Sequence, residues 1–179
     1  MGLSARGHQQ SQALALYLHN RPMDAIYASP MKRVSQTLAP LLSNGAPKPV
    51  VVQDLREVDF GDWTGLHWTE VNAKYGISAL AWLDQLECGG IPNAECTRTL
   101  RSRIEPCLRR ILLEHSGGQV AIACHGGVIR MLLAILLDWP LPKLAVFEID
   151  YASVTQIVWA PQVARLQLVN FTPWRESSQ

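Results

Sequence analysis

Residues 120–130, Val-Ala-Ile-Ala-Cys-His-Gly-Gly-Val-Ile-Arg, constrain this chain more than any other stretch, because they carry a strand into a helix through a His-Gly-Gly junction. The apolar run Val120–Cys124, entered from Gly117-Gly118, reads as a buried strand, and Val128 to Leu137 then sets Ile129, Leu132, Leu133, Leu136 and Leu137 at helical spacing. Two glycines at such a junction let the backbone approach a ligand closely. The unpaired N–H groups of the helix's first turn point at whatever sits there and favour an anion such as phosphate. His125 stands where it would touch that anion. Taken alone, it also reads as a partly buried structural histidine beside a tight turn.

In chain order, Ser4 caps a first helix whose Leu14, Tyr17 and Leu18 form an apolar stripe that ends before Asn20-Arg21-Pro22. Ala25–Ala28 is a short buried strand, followed by Ser29-Pro30, which reads as an N-cap with proline at the first helical position. Arg33 falls in the opening turn of that second helix, and Pro40 is expected to kink it. Val50–Val52 is the next strand, and it empties into a loop, residues 54–65, too rich in charged, aromatic and glycine residues to be a plain connector. Residues 69–87 read as two short helices with Trp82 inward, and residues 88–96 as a glycine-proline loop. A longer helix starts at Thr97, with Leu100, Ile104, Cys107, Leu108, Ile111 and Leu112 on one face and Pro106 as a bend. The alternation of Phe147, Ile149 and Tyr151, then Ser153–Trp159 and Arg165–Phe171 joined around Pro161-Gln162, predicts a half-exposed antiparallel pair. Strands alternating with helices, plus an antiparallel edge, indicate an α/β layered fold.

At 179 residues the chain suits a single domain spanning 1–179. The formal net charge is +1 and the basic residues are dispersed, which argues against a nucleic-acid track or an acidic membrane patch and for a small partner. A homo-oligomer is compatible with this composition. No apolar run reaches the roughly 18 residues needed to span a bilayer, and a cytoplasmic location is expected. Cys88, Cys96, Cys107 and Cys124 form no C-x-x-C pair and have no histidine at zinc spacing. They are expected to be reduced and mostly buried, with no metal site.

In α/β folds of this kind the ligand lies at the C-terminal ends of the strands. Arg33, Glu57 and His125 each follow a different predicted strand, so all three fall on one rim. An arginine pairs with phosphate oxygens, a histidine beside helix N–H groups adds to that cradle, and a glutamate can protonate a leaving oxygen.

Four segments in order carry a resemblance to the histidine phosphatase superfamily, the phosphoglycerate mutase-like proteins. Leu3-Ser-Ala-Arg-Gly7-His-Gln-Gln10-Ser-Gln-Ala-Leu14-Ala15 is similar to the family's L-T-x-x-G-x-x-Q-A-x-x-L-A helix. Ser29-Pro-Met-Lys-Arg33-Val-Ser-Gln36-Thr37 is similar to S-P-L-x-R-A-x-Q-T. Leu55-Arg-Glu57-Val-Asp-Phe-Gly61-Asp-Trp63-Thr-Gly65 resembles L-x-E-x-x-F-G-x-W-E-G, and Cys124-His125-Gly126-Gly127 resembles S-H-G-G. The resemblance implies a three-layer α/β/α fold around a mostly parallel sheet with an antiparallel edge. It implies a phosphatase that acts on a small phosphorylated metabolite through a phosphohistidine, without metal or organic cofactor. It assigns Arg33 and His125 to the phosphate pocket, and Glu57 as the acid for the leaving alcohol and then the base for water.

The sequence departs from the family pattern at Ala94-Glu95-Cys96, where G-E-S is usual, and at Cys124, where serine or threonine is usual. The family's first strand, central in the sheet and ending in Arg-His-Gly with the nucleophilic histidine, has no counterpart here. His8 stands in the order Arg-Gly-His inside the first helix and does not replace it. Losing a central strand would leave buried peptide groups unpaired at about 1–3 kcal/mol each, against a total stability of about 5–15 kcal/mol. The expectation is therefore a true start upstream of Met1, or a fragment completed by another segment, and negligible turnover by the 179 residues alone.

Two other functions fit parts of the chain. Cys124-x-x-Gly127-x-x-Arg130 is a C-x5-R pattern, in which a cysteine thiolate attacks phosphorus and the arginine holds its oxygens; otherwise Cys124 is a small buried residue and Arg130 a helix-face cation. A non-catalytic phosphate-binding protein would retain Arg33 and His125 but would have no need for an acid at Glu57.

Overall fold

The computed structural model describes residues 2–78, 81–160 and 163–176. Helix α1 (Ala5–Leu18) is capped by Ser4, whose hydroxyl accepts the Gly7 N–H at 3.2 Å. Strand β1 (Ala25–Ala28) follows, then α2 (Lys32–Ser43) and the short β2 (Val50–Val51). Two helices, α3 (Trp68–Tyr75) and α4 (Trp82–Cys88), precede the long α5 (Thr97–Glu114). Strand β3 (Val120–Ala123) runs into α6 (Gly126–Leu137). The chain then forms β4 (Val154–Ala160), β5 (Val163–Phe171) and a final turn of helix, α7 (Pro173–Glu176).

The parallel sheet has the order β2-β1-β3, with Tyr27 beside Val50 on one side and beside Ile122 on the other. Alternation along these strands makes the layers. Ile26 and Ala28 of β1 join Ala15, Val34, Leu38 and Leu41 in one cluster, against which Ala121 and Ala123 of β3 also pack. Tyr27 faces the opposite way, into the larger cluster formed by Leu100, Ile104 and Ile111 of α5 and Val128 and Met131 of α6. With α1 and α2 on one face and α5 and α6 on the other, the sheet is the middle of three layers, as the α/β/α expectation requires. Among the described residues β4 and β5 pair only with each other, as a separate antiparallel sheet, and β3 pairs only with β1.

Loop 54–65 is fixed by aromatic packing. Trp63 is buried, and the Phe60 ring lies 5.3 Å from the inward Trp82 ring. Gly61 adopts φ +50, and a Cβ there would stand 2.2 Å from the Pro92 carbonyl, so only glycine lets this loop meet residues 92–94.

Several local expectations change. Ser29 is not the N-cap: α2 starts at Lys32 after Met31, and the Ser29 hydroxyl, which accepts the Met31 N–H at 3.4 Å, also meets His125 Nε2 at 2.7 Å. The buried face of α6 is Val128, Met131, Leu132, Leu133 and Ala134 rather than the stripe through Leu136 and Leu137, since the helix packs against both α5 and the 3-10 turn Leu141–Val146. Residues 147–151 do not extend the antiparallel pair, for their backbone bonds side chains: Phe147 O accepts from Arg130 and Asp150 N donates to Asn170. The expected connection at Pro161-Gln162 lies outside the described residues. The cysteines are free, but only Cys107 is buried; Cys96 and Cys124 are half-buried and Cys88 is exposed. Among the described residues no helix is long and apolar enough to cross a membrane.

Candidate active site

The C-terminal ends of β1 and β3 lie side by side, with the Ser29 N–H donating to the Ala123 carbonyl at 2.9 Å. Each strand delivers its next residues to the same rim. His125 is the N-cap of α6 and only 6% exposed. Its Nε2 lies 2.7 Å from the Ser29 hydroxyl, and its Nδ1 accepts the Nε–H of Arg33 at 3.2 Å. An arginine donates and never accepts, so Nδ1 must be the unprotonated nitrogen and Nε2 carries the hydrogen given to Ser29. Burial, then the charges of Arg33 and Arg103, lower His125 from 6.5 to about 4, so the ring is neutral at pH 7.

Glu57 enters from the loop after β2. Its Oε1 accepts the N–H of Val58 at 3.0 Å, and it faces the first turn of α6 so closely that a Cβ on Gly127 would come within 2.9 Å of that oxygen and 2.4 Å of Val58 Cγ2. Gly127 is therefore required by packing. Burial raises the Glu57 carboxyl above the usual carboxylate range, although the Val58 N–H, Arg33, the Gly127 N–H and Arg103 all pull the other way. The three expected residues thus meet at one place, with Arg33 felt electrostatically by both Glu57 and His125. The arrangement offers a guanidinium, a helix N-terminus and a neutral imidazole to an anion, beside a carboxyl group biased towards holding its proton.

The C-x5-R pair looks different. Burial is the main force that pushes the Cys124 thiol up to about 12, and the Glu57 carboxylate adds to it. Arg130 donates to the Gly126 carbonyl at 3.2 Å and the Phe147 carbonyl at 2.7 Å, with its guanidinium 5.9 Å from the Trp82 ring. Among the remaining histidines, His8 is exposed on α1.

Ser29 and Arg103 belong to this site without having been singled out for it. Arg103 is nearly buried on α5 and donates to the carbonyls of Asp54, Arg56 and Glu57. Its signal was available in the sequence: it sits three residues after Leu100 and four before Cys107, on the apolar stripe, where a charge needs a buried partner.

The model of the histidine phosphatase superfamily (branch 1) matches residues 1–172. Adenosylcobalamin/alpha-ribazole phosphatase of Escherichia coli is 25% identical over 168 residues, covering 94% of this chain and 83% of that protein. Phosphoserine phosphatase 1 of Hydrogenobacter thermophilus is 27% identical over 155 residues, covering 87% of this chain and 74% of that protein. Among solved structures, a mycobacterial glucosyl-3-phosphoglycerate phosphatase in complex with inorganic phosphate superposes with a TM-score of 0.82 at 27% identity, covering 97% of this chain and 89% of that one.

Proposed function

The chain belongs to the histidine phosphatase superfamily, and on that premise we propose that it is the phosphate-handling part of a hydrolase for small phosphomonoesters, built as one domain over residues 1–179. Arg33 and the first-turn N–H groups of α6 hold the phosphoryl oxygens, and His125 joins them when its Nε2 hydrogen turns from Ser29 to the anion. Glu57 stands at the ester oxygen. In the first half-reaction a histidine nitrogen attacks phosphorus, the P–O ester bond breaks, and the Glu57 proton goes to the leaving alkoxide. In the second, the Glu57 carboxylate takes a proton from water, whose oxygen attacks phosphorus as the P–N bond breaks.

The observation that carries this reading is the pairing of opposite needs within one pocket: cationic and N–H donors for the phosphate at Arg33 and α6, and a carboxyl raised by burial at Glu57. His125 is poorly suited to be the attacking group, because its Nδ1 lone pair is taken by Arg33 and its Nε2 hydrogen by Ser29. No histidine of these 179 residues stands in an Arg-His-Gly order, so we leave the attacking nitrogen unassigned among them. Loss of a covalent nucleophile costs up to about a millionfold in turnover. The test is a pair of measurements. Titration with vanadate should show binding by the 179-residue protein that Arg33→Ala abolishes. Hydrolysis of p-nitrophenyl phosphate, in catalytically active protein, should fall steeply in His125→Ala. Absence of vanadate binding would remove the phosphate pocket from Arg33 and His125.

A second reading, a phosphate-binding protein without turnover, is favoured by the engagement of both His125 nitrogens. It leaves the raised Glu57 without a purpose. A cysteine mechanism is less supported, because a thiol at about 12 supplies almost no thiolate at pH 7.

A further inference from the structure

We propose that Arg103 is a positioning residue for Glu57, a role resting on the reading of Glu57 as proton donor. All five N–H groups of its guanidinium are spent on one object. Two, from NH1, go to the carbonyls of Asp54 and Arg56; one of the NH2 pair goes to the carbonyl of Glu57 itself at 3.3 Å. The other two close on Glu95, from Nε to Oε2 at 3.0 Å and from NH2 to Oε1 at 2.6 Å. Glu95 in turn grips the far end of the same loop: its Oε1 accepts the Asp59 N–H at 2.9 Å and its own N–H donates to the Asp59 carbonyl at 3.1 Å. The backbone on both sides of Glu57 is therefore held by one ion pair.

Stability alone does not call for such a pair. Both side chains are over nine-tenths buried, and replacing a buried ion pair by apolar side chains of similar size is often neutral or stabilising. What an apolar pair cannot do is gather three carbonyls that would otherwise repel one another and turn the Glu57 carboxyl towards Gly127. Arg103 also places a charge that both Glu57 and His125 feel. A lysine has three donors on a point charge and cannot reproduce the fork.

The test is leaving-group selectivity in catalytically active protein. A displacement of about 1 Å at a catalytic group can cost on the order of a hundredfold. Arg103→Met should lower kcat on an alkyl phosphate by about 10- to 100-fold, lower it much less on p-nitrophenyl phosphate, and leave vanadate affinity unchanged. Adding Arg103→Met to Glu57→Gln should cost nothing further on the alkyl ester, since the group being positioned is already gone. If Arg103→Met fails to fold, Glu95→Gln carries the same test, because it keeps Arg103 and loosens its closure. Equal losses on both esters, no loss, or a full additional loss in the Glu57→Gln background would overturn the positioning role while leaving Glu57 as the acid. Absence of alkyl selectivity in Glu57→Gln itself would overturn the reading of Glu57, and this role with it.

Discussion

Arg33 donates its Nε–H to Nδ1 of His125 over 3.2 Å, and this contact sets the tautomer of the imidazole and adds to burial in keeping it neutral. A protonated ring would have no lone pair at Nδ1 and would face a guanidinium with its own N–H.

Acid should therefore act on the fold through His125. Its folded value of about 4 lies below the unfolded 6.5, so the unfolded chain binds the extra proton between those limits. The stability that depends on a neutral ring is present above about pH 6.5 and is lost as pH falls towards 4, by on the order of 3 kcal/mol when the loss is complete. Urea unfolding at pH 7 and pH 4.5 measures this. His125→Gln should flatten the dependence, and an unchanged slope in the variant would assign it to other groups.

The two glycines after His125 should behave differently. Alanine at Gly127 drives a methyl into Val58 Cγ2 and Glu57 Oε1, at 2.4 and 2.9 Å, whereas at Gly126 the nearest atom is the terminal nitrogen of Arg130 at 3.4 Å. Gly127→Ala should cost about 1–3 kcal/mol by overpacking, and Gly126→Ala well under 1 kcal/mol, since a helical alanine is intrinsically favoured by roughly as much as the contact costs. Equal effects in thermal unfolding would mean that the loop carrying Glu57 yields freely.

The fold was legible where local chemistry and tertiary packing agree. Ser4 caps α1 and Thr97 opens α5 because each signal is satisfied by its own neighbours, and Ala25–Ala28 form β1 because their apolar run suits a strand paired on both sides. The site was legible to the extent that Arg33, Glu57 and His125 each follow a strand. What escaped was long-range competition. Ser29 is a good cap by every local rule, but its hydroxyl serves a histidine 96 positions away. Residues 147–151 alternate like a strand, but side chains of Arg130 and Asn170 claim their backbone. The Arg103 bonds reach back 46 to 49 positions, to carbonyls that leave no mark on sequence at all.

The role of Glu57 separates an enzyme from a binding protein. An alkoxide leaves poorly until protonated, while p-nitrophenolate leaves without help. Glu57→Gln in catalytically active protein should lower hydrolysis of an alkyl phosphate by about 10²–10⁴-fold and affect p-nitrophenyl phosphate less. Unchanged rates on both esters would make Glu57 a structural loop residue.

The neutrality of His125 also predicts how the site answers an anion. A dianion within about 4–6 Å favours the protonated ring, raising its value by about 1–3 units, so binding should draw in a proton from solution. Sulfate is the useful probe, since it keeps its charge across the whole range while phosphate does not. Its affinity for the 179-residue protein should rise about 3- to 100-fold as pH falls from 7 to 4.5, with proton uptake visible as a buffer-dependent binding enthalpy. Glu57 would push in the same direction, because its carboxylate repels the anion until protonated. Glu57→Gln separates the two: if the rise survives there and disappears in His125→Gln, the imidazole is the group that charges. A rise lost in Glu57→Gln would instead place the titration on the carboxylate, and a flat affinity would show that the Arg33 contact holds the ring neutral even against a bound dianion.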